Sequence, residues 1–177
     1  MNVKTLKIKE VLIINSDKHK DERGWFQETY HLQKFLDRDI NHTFVQDNLV
    51  YSNKNVLRGL HANKKQGQGK LVSCIKGKIF DVAVDLRPDS NTYKQWVGYF
   101  LTEDDSNFLY IPRGFAHGYS VESEDALVNY KCTEIYNPDE EFGIIWDDPD
   151  INIAWPQNSY IISERDKKNM YFKELKL

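Results

Sequence analysis

The 177-residue chain has only two cysteines, Cys74 and Cys132. Two cannot make a disulfide framework, and each sits inside a strand-like run, so both read as buried free thiols. No apolar run approaches the roughly 20 residues that a membrane-spanning helix needs. The opening "MNVKTLKIKEVLIIN" alternates polar with apolar where a secretory signal would hold an unbroken apolar core, so it reads as a strand. A cytoplasmic protein with no membrane partner is expected. An excess of charge of one sign is also missing: 24 Lys+Arg stand against 27 Asp+Glu, a formal net charge of −3. The clusters "KHKDER" and "RDKK" mix signs and read as solvated turns, so the basic face of a nucleic-acid binder is absent. With no repeat, low-complexity segment or linker, residues 1–177 are expected to form one domain.

What the chain does have is aromatic rings, 13% of its residues, which fit the pleated, half-buried surface of a sheet. Short runs with period-two alternation dominate, among them "KLVSCIKGKIFDVAVDL", "QWVGYFL", "NFLYIP" and "ALVNYKCTEIY". Turn signals such as "RPDSNT", "TEDDSN" and "YNPDEE" separate them, the pattern of a β-sandwich or barrel. "YHLQKFLDRD" (30–39) reads as a helix, and a second is expected to start at Ser163. In "IPRGFAHGY", Pro112 and Gly114 make a tight turn that starts a strand with His117 directed to one face. The spacing Pro-x-Gly-x-x-His resembles the second conserved box of cupins. The fold expected from it is all-β, a double-stranded β-helix jelly roll with a few short helices. Metal-binding cupins supply a His-x-His pair and a Glu from an earlier box. Here only His61 is available, with Asn63 where the second imidazole would stand, and two imidazoles fall short of the usual three or four ligands. No metal is expected.

Eight segments, in order and at fitting spacing, resemble one family: "DERGWFQE" (21–28), "VQDN" (45–48), "LRGLH" (57–61), "GKLVSCIKGKIFDVAVDLR" (69–87), "IPRGFAHGY" (111–119), "YKCTEIY" (130–136), "WDDPDINIAWP" (146–156) and "SERD" (163–166). The chain resembles the dTDP-4-dehydrorhamnose 3,5-epimerases over about residues 6–170. The resemblance implies proton abstraction beside the C4 ketone of a nucleotide-linked sugar, at C3 and C5. That chemistry needs a base near neutral pKa, a cation at the developing oxyanion and an acid on the opposite face. No cofactor is implied, since the ketone is the electron sink.

By this resemblance His61 is the base, Asp166 its orienting carboxylate, Lys70 the cation beside the C4 oxygen and Tyr130 the acid. A cationic neighbour would lower the Tyr130 phenol below its ordinary value of ~10. Asp166 has a rival reading, because Ser163-x-x-Asp166 also has the spacing of a helix capping box. Tyr136 would share a face with Tyr130 on an unbroken strand and is associated with handling the sugar ring. Substrate contacts are implied for Arg23, Glu28, Gln46, Asp47, Asn48, Arg58, Glu141 and Arg165, with Phe26 stacking on the base. His117 would line the sugar pocket or support Lys70 together with Asp81. Arginine suits the diphosphate because its planar fork donates two parallel hydrogen bonds.

Two details sit awkwardly. Strict alternation places Arg58 and His61 on opposite faces of one strand, and a bulge at Gly59 would re-aim one of them. The family also continues "RGLH" with an aromatic and a glutamine where this chain has Ala62 and Asn63, which opens the pocket to another sugar or nucleotide. The alternatives are an epimerase of one carbon or of another nucleotide-linked 4-keto sugar, and more distantly a non-catalytic sugar- or metal-binding cupin. The resemblance further implies a homodimer that exchanges its N-terminal strand.

Overall fold

The computed structural model describes residues 1–64 and 67–175. Two long strands organise it: β7 (Lys70–Asp85) and β10 (Phe115–Cys132), antiparallel along most of their length. Each changes neighbours halfway. The first part of β10 pairs with β6 (Leu57–Asn63) and the rest with β5 (Gln46–Asn53). The start of β7 pairs with β9 (Asn107–Ile111) and its later part with β8 (Trp96–Thr102). Two layers result. One runs β11 (Glu141–Gly143), β6, β10, β7, β8; the other runs β5, β10, β7, β9, β2 (Leu12–Asn15), β1 (Asn2–Thr5). This is the cupin-like jelly roll. A separate hairpin pairs β3 (Lys18–Asp21) with β4 (Gly24–Gln27), and α1 spans Leu32–Leu36.

The bend is local chemistry. Gly77 sits at φ +80, and a Cβ there would lie 2.1 Å from the Asp125 carbonyl oxygen. Beside it Leu127 pairs with Lys76 but Val128 with Cys74, so β7 uses two residues where β10 uses one. The extra residue reverses the side-chain parity of β7. Val72 and Cys74 before the bulge therefore share one interior core with Ile79 and Ala83 after it. Leu71 packs outward under Phe35 of α1. Val82 and Val84 pack outward under Ile144, Ile151 and Phe172 of the C-terminal segment.

Three expectations change. "KTLKIKEVLIIN" is two antiparallel strands, β1 and β2, because Ile8 and Val11 bury themselves in the turn between them. The segment from Ser163 forms two short 3-10 turns, Asp166–Lys168 and Phe172–Glu174, each pinned by a buried side chain, Asp166 and Phe172. β10 ends at Cys132, opposite the first residue of β7, so no unbroken strand carries both Tyr130 and Tyr136. Both cysteines are free and buried. No helix among the described residues is long and apolar enough to cross a membrane.

Candidate active site

β6 and β10 resolve the first awkward detail. His61 pairs with His117 and Arg58 with Tyr119, a step of three residues on β6 against two on β10. The extra residue falls where Gly59 has φ +114, and a Cβ there would meet Gly118 Cα at 2.7 Å and the His117 carbonyl oxygen at 2.8 Å. Only glycine allows this bulge. Arg58 and His61 consequently line one cavity of about 360 Å³, with Val50 of β5, Lys70 of β7, His117, Tyr119 and Tyr130 of β10, and Ser163, Arg165 and Asp166 of the following turn.

His61 Nε2 lies 2.7 Å from Asp166 Oδ1. Asp166 is 4% exposed, and its Oδ2 accepts the Gly59 amide at 3.3 Å. Burial raises its pKa, but the hydrogen bond and charge of His61, with the Gly59 and Ser163 bonds, outweigh that and leave the carboxyl below its ordinary value. Against an ionised carboxylate, Nε2–H is the donor, which leaves the Nδ1 lone pair as the available base; Glu141 Oε1 lies 3.9 Å from it. Both sequence readings of the Ser163-x-x-Asp166 pattern find a place. Ser163 Oγ accepts the Asp166 amide at 3.0 Å as a cap would, while the carboxylate turns away to His61.

Lys70 is not a loop residue. It opens β7, is 9% exposed, and its ammonium makes no hydrogen bond or ion pair among the described residues. Burial lowers its pKa, opposed by Cys132, Glu141 and Asp81. Tyr130 reverses an expectation: burial raises its phenol to about 12, and the pull of Arg58 in the other direction does not compensate. It therefore stays protonated across the physiological range. His117 is buried against Asp81, with Nε2 2.6 Å from Oδ1, and desolvation lowers its pKa.

A polar chain extends from the pocket to its rim. Arg165 pairs with Glu141, whose Oε2 also accepts the Tyr136 hydroxyl at 3.0 Å. The Tyr136 amide donates to Gln46 Oε1 at 2.7 Å, and Gln46 Nε2 to Asn48 Oδ1 at 3.0 Å. Tyr136 thus reaches the site from a loop. Four expected contacts lie elsewhere. Asp47 alternates to the opposite face of β5, where it pairs with Lys131 and accepts Asn129 Nδ2 at 2.7 Å. Arg23, Phe26 and Glu28 belong to the β3–β4 hairpin and the residue after it, outside the main sheet. Arg23 pairs with Asp21 at 2.5 Å, Glu28 with Lys34 at 2.7 Å, and Phe26 is 68% exposed. Ala62 is buried in the core under the C-terminal segment, on the face of β6 opposite His61, so its small side chain does not widen the pocket. Sequence reasoning missed Tyr119 and Ser52. Arg58 Nε donates to Ser52 Oγ at 2.9 Å, and the Tyr119 hydroxyl lies 3.4 Å from the same oxygen. Alternation from His117 would have found Tyr119; Ser52 carried no signal. Among the described residues no group of three or more His, Cys, Asp or Glu is placed to hold a metal ion.

A jelly roll with this polar pocket between its layers groups the chain with the cupin-like carbohydrate isomerases. Residues 5–174 match the family model described as dTDP-4-dehydrorhamnose 3,5-epimerase. The relative of that name from Methanothermobacter thermautotrophicus is 48% identical over 159 residues, covering 88% of this chain and 86% of its own. Its counterpart from Escherichia coli K12 is 44% identical over 179 residues, covering 99% and 96%. The crystal structure of dTDP-6-deoxy-D-glucose-3,5-epimerase from Legionella pneumophila Philadelphia 1, in complex with dTDP-4-keto-L-rhamnose, superposes with a TM-score of 0.95 at 41% identity, covering 99% of this chain and 94% of that one. The chain belongs to the dTDP-4-dehydrorhamnose 3,5-epimerase family and is an isomerase.

Proposed function

We propose that the protein epimerises dTDP-4-dehydro-6-deoxy-D-glucose at C3 and C5, giving dTDP-4-dehydro-L-rhamnose. The observation that carries the reading is the His61–Asp166 pair in one cavity with Lys70 and Tyr130. In this reading His61 Nδ1 takes the proton beside the ketone, and Asp166 supports the imidazolium that forms. Charge then builds on the C4 oxygen, where the Lys70 ammonium, with no hydrogen bond or ion pair among the described residues, stabilises the enolate. Tyr130, fully protonated at neutral pH, returns a proton to the other face, and its phenolate is short-lived because burial disfavours it. Arg58 and Arg165 take the diphosphate; Gln46, Asn48, Tyr136 and Glu141 form the rim of the sugar and nucleotide site. The ketone accepts the electrons, so no cofactor is required.

We further propose that residues 1–177 act as one cytoplasmic domain and as a homodimer. The hairpin supports the dimer, since Trp25 and Phe26 on β4 leave 58% and 68% of their surface exposed, apolar area that a second copy could cover. Sedimentation showing monomer alone would overturn it. The function is tested by proton NMR of the substrate in D₂O. Loss of both C3–H and C5–H signals is expected; exchange at a single carbon would reassign the protein as a one-carbon epimerase, and no exchange with folded protein would overturn the reading.

A further inference from the structure

Four arginines are each neutralised by a carboxylate: Arg23 by Asp21, Arg87 by Asp85, Arg113 by Glu134 and Arg165 by Glu141. Arg58 in the cavity wall is held differently. Nε donates to Ser52 Oγ at 2.9 Å and Nη2 to the Tyr51 carbonyl oxygen at 3.4 Å, both uncharged partners. Nη1 makes no hydrogen bond, and the side chain no ion pair, among the described residues. A carboxylate anchor would cancel the guanidinium charge, whereas a hydroxyl fixes the group and leaves its charge to act on a ligand.

Ser52 is itself locked in place. It shares the parity of Gln46, Asn48 and Val50 on β5 and is 3% exposed, while Arg58, across the turn into β6, is exposed. A buried hydroxyl needs an acceptor for its own hydrogen as well as a donor to its oxygen. Arg58 Nε–H is the donor. The Tyr119 hydroxyl, 3.4 Å from Ser52 Oγ, is the acceptor within reach among the described residues. Tyr119 is buried too, and it is the register partner of Arg58 on β10. Three strands thus converge on one serine oxygen, and the mobile member of the group is the cation that it holds.

We infer that Ser52 is a positioning residue: it holds the Arg58 guanidinium at the cavity by its Nε edge, with the Nη1 end and the full charge available to the substrate diphosphate. This rests on the reading of Arg58 given above. Ser52 touches no substrate; it acts through Arg58. Ordering a loose arginine at the moment of binding costs roughly 2- to 12-fold in affinity. Ser52 removes that cost beforehand, so its effect belongs to diphosphate affinity and KM, not to kcat.

The test measures dTDP affinity by calorimetry, with KM and kcat, for Ser52→Ala, Arg58→Met and the double variant. Ser52→Ala is expected to weaken dTDP binding and raise KM by roughly 3- to 12-fold, with kcat within about twofold of the parent. In the Arg58→Met background the same substitution should change affinity by less than about twofold, because no guanidinium remains to be held. A role confined to packing would act equally in both backgrounds, and that result overturns the inference. So does parental affinity in Ser52→Ala when Arg58→Met binds weakly. Parental affinity in Arg58→Met instead overturns the reading of Arg58, and the inference with it. If Ser52→Ala does not fold, ¹⁵N-arginine spectra of the unaltered protein decide, with Arg58 assigned through Arg58→Met. Its Nε–H is expected to exchange with water more slowly than that of free arginine; exchange at the free rate overturns the inference.

Discussion

Replacing Asp166 with Asn isolates what the carboxylate does for His61. The aspartate accepts twice, from His61 Nε2–H at 2.7 Å and from the Gly59 amide at 3.3 Å. An amide has one acceptor and one donor end, so it can satisfy only one of these. If its oxygen stays on His61, the NH₂ group confronts the Gly59 N–H, and the imidazolium formed on proton abstraction has lost its counter-charge. If it flips, Gly59 is satisfied but the NH₂ donates to Nε2, driving the ring proton to Nδ1 and removing the lone pair that should take the substrate proton. Each orientation disables the base, so kcat is expected to fall by about 10²–10⁴, the usual worth of general-base catalysis. Stability should suffer less. One unsatisfied buried donor costs about 2 kcal/mol, roughly 4–8 °C in melting temperature for a chain of this size. The assay couples product to a reductase and follows hydrogen exchange at C3 and C5 in D₂O, alongside a melting curve. A folded variant whose kcat stays within about threefold of the parent would refute the assignment of Asp166 as the orienting group.

Lys70→Met should lower kcat by about 10²–10³ through loss of the oxyanion partner, yet raise the melting temperature by removing a desolvated charge that has no ion pair among the described residues; activity near the parent level would sink the role. Tyr130→Phe should leave deprotonation intact and stall reprotonation at one carbon, so NMR of the product should reveal a single-carbon epimer or exchange without turnover; an unchanged product refutes it. Gly59→Ala places a Cβ 2.7 Å from Gly118 Cα at φ +114 and should cost about 3 kcal/mol or more, measured by denaturant unfolding, with activity falling as Arg58 and His61 lose their shared face. Burial raises the Asp85 pKa, but Arg87, Ser90 and Thr92 overcome it and bring the carboxyl to about 2. Its contribution of about 2 kcal/mol is therefore present above the unfolded pKa near 4 and lost as pH falls from there through 2; Asp85→Asn should destabilise the protein at pH 7 and flatten that part of the acid melting curve.

The all-β architecture and α1 were legible because their signals are local, alternation and turn chemistry, while most residues of the pocket were reached through the family resemblance that the motif spacing carries. What was not legible depended on non-local pairing. The split of the first run into β1 and β2 follows from Ile8 and Val11 finding a core, which alternation within the run cannot announce. The end of β10 at Cys132 follows from β7 beginning at Lys70, a fact of register and not of composition. Asp47 was grouped with Gln46 and Asn48 as one motif, although period two already divides them between faces. Ala62 shows the same lesson. A departure from the family pattern beside His61 looked like a change in the pocket, but adjacent residues on a strand face opposite ways. Burial of Tyr130 could not be read either, which is why its pKa moves up, not down.

Two glycine-assisted bulges link these points to function. Period-two alternation alone would put Arg58 opposite His61 and Lys70 opposite Asp81, scattering the charged groups between core and pocket. The extra residue at Gly59 gathers the first pair, and the extra residue beside Gly77 gathers the second. Each imidazole thereby gains its own carboxylate, His61 with Asp166 and His117 with Asp81. The two pairs differ in burial, and this sets their tasks apart. His61 is a quarter exposed at its side chain, and its Nδ1 makes no hydrogen bond among the described residues, with Glu141 Oε1 3.9 Å away, which suits the proposed base. His117 is almost wholly buried, and desolvation holds it towards the neutral form. A site that must both remove and return protons needs one imidazole free to cycle and a second that does not compete for the proton. The strand irregularities, and not the regular sheet, place them that way.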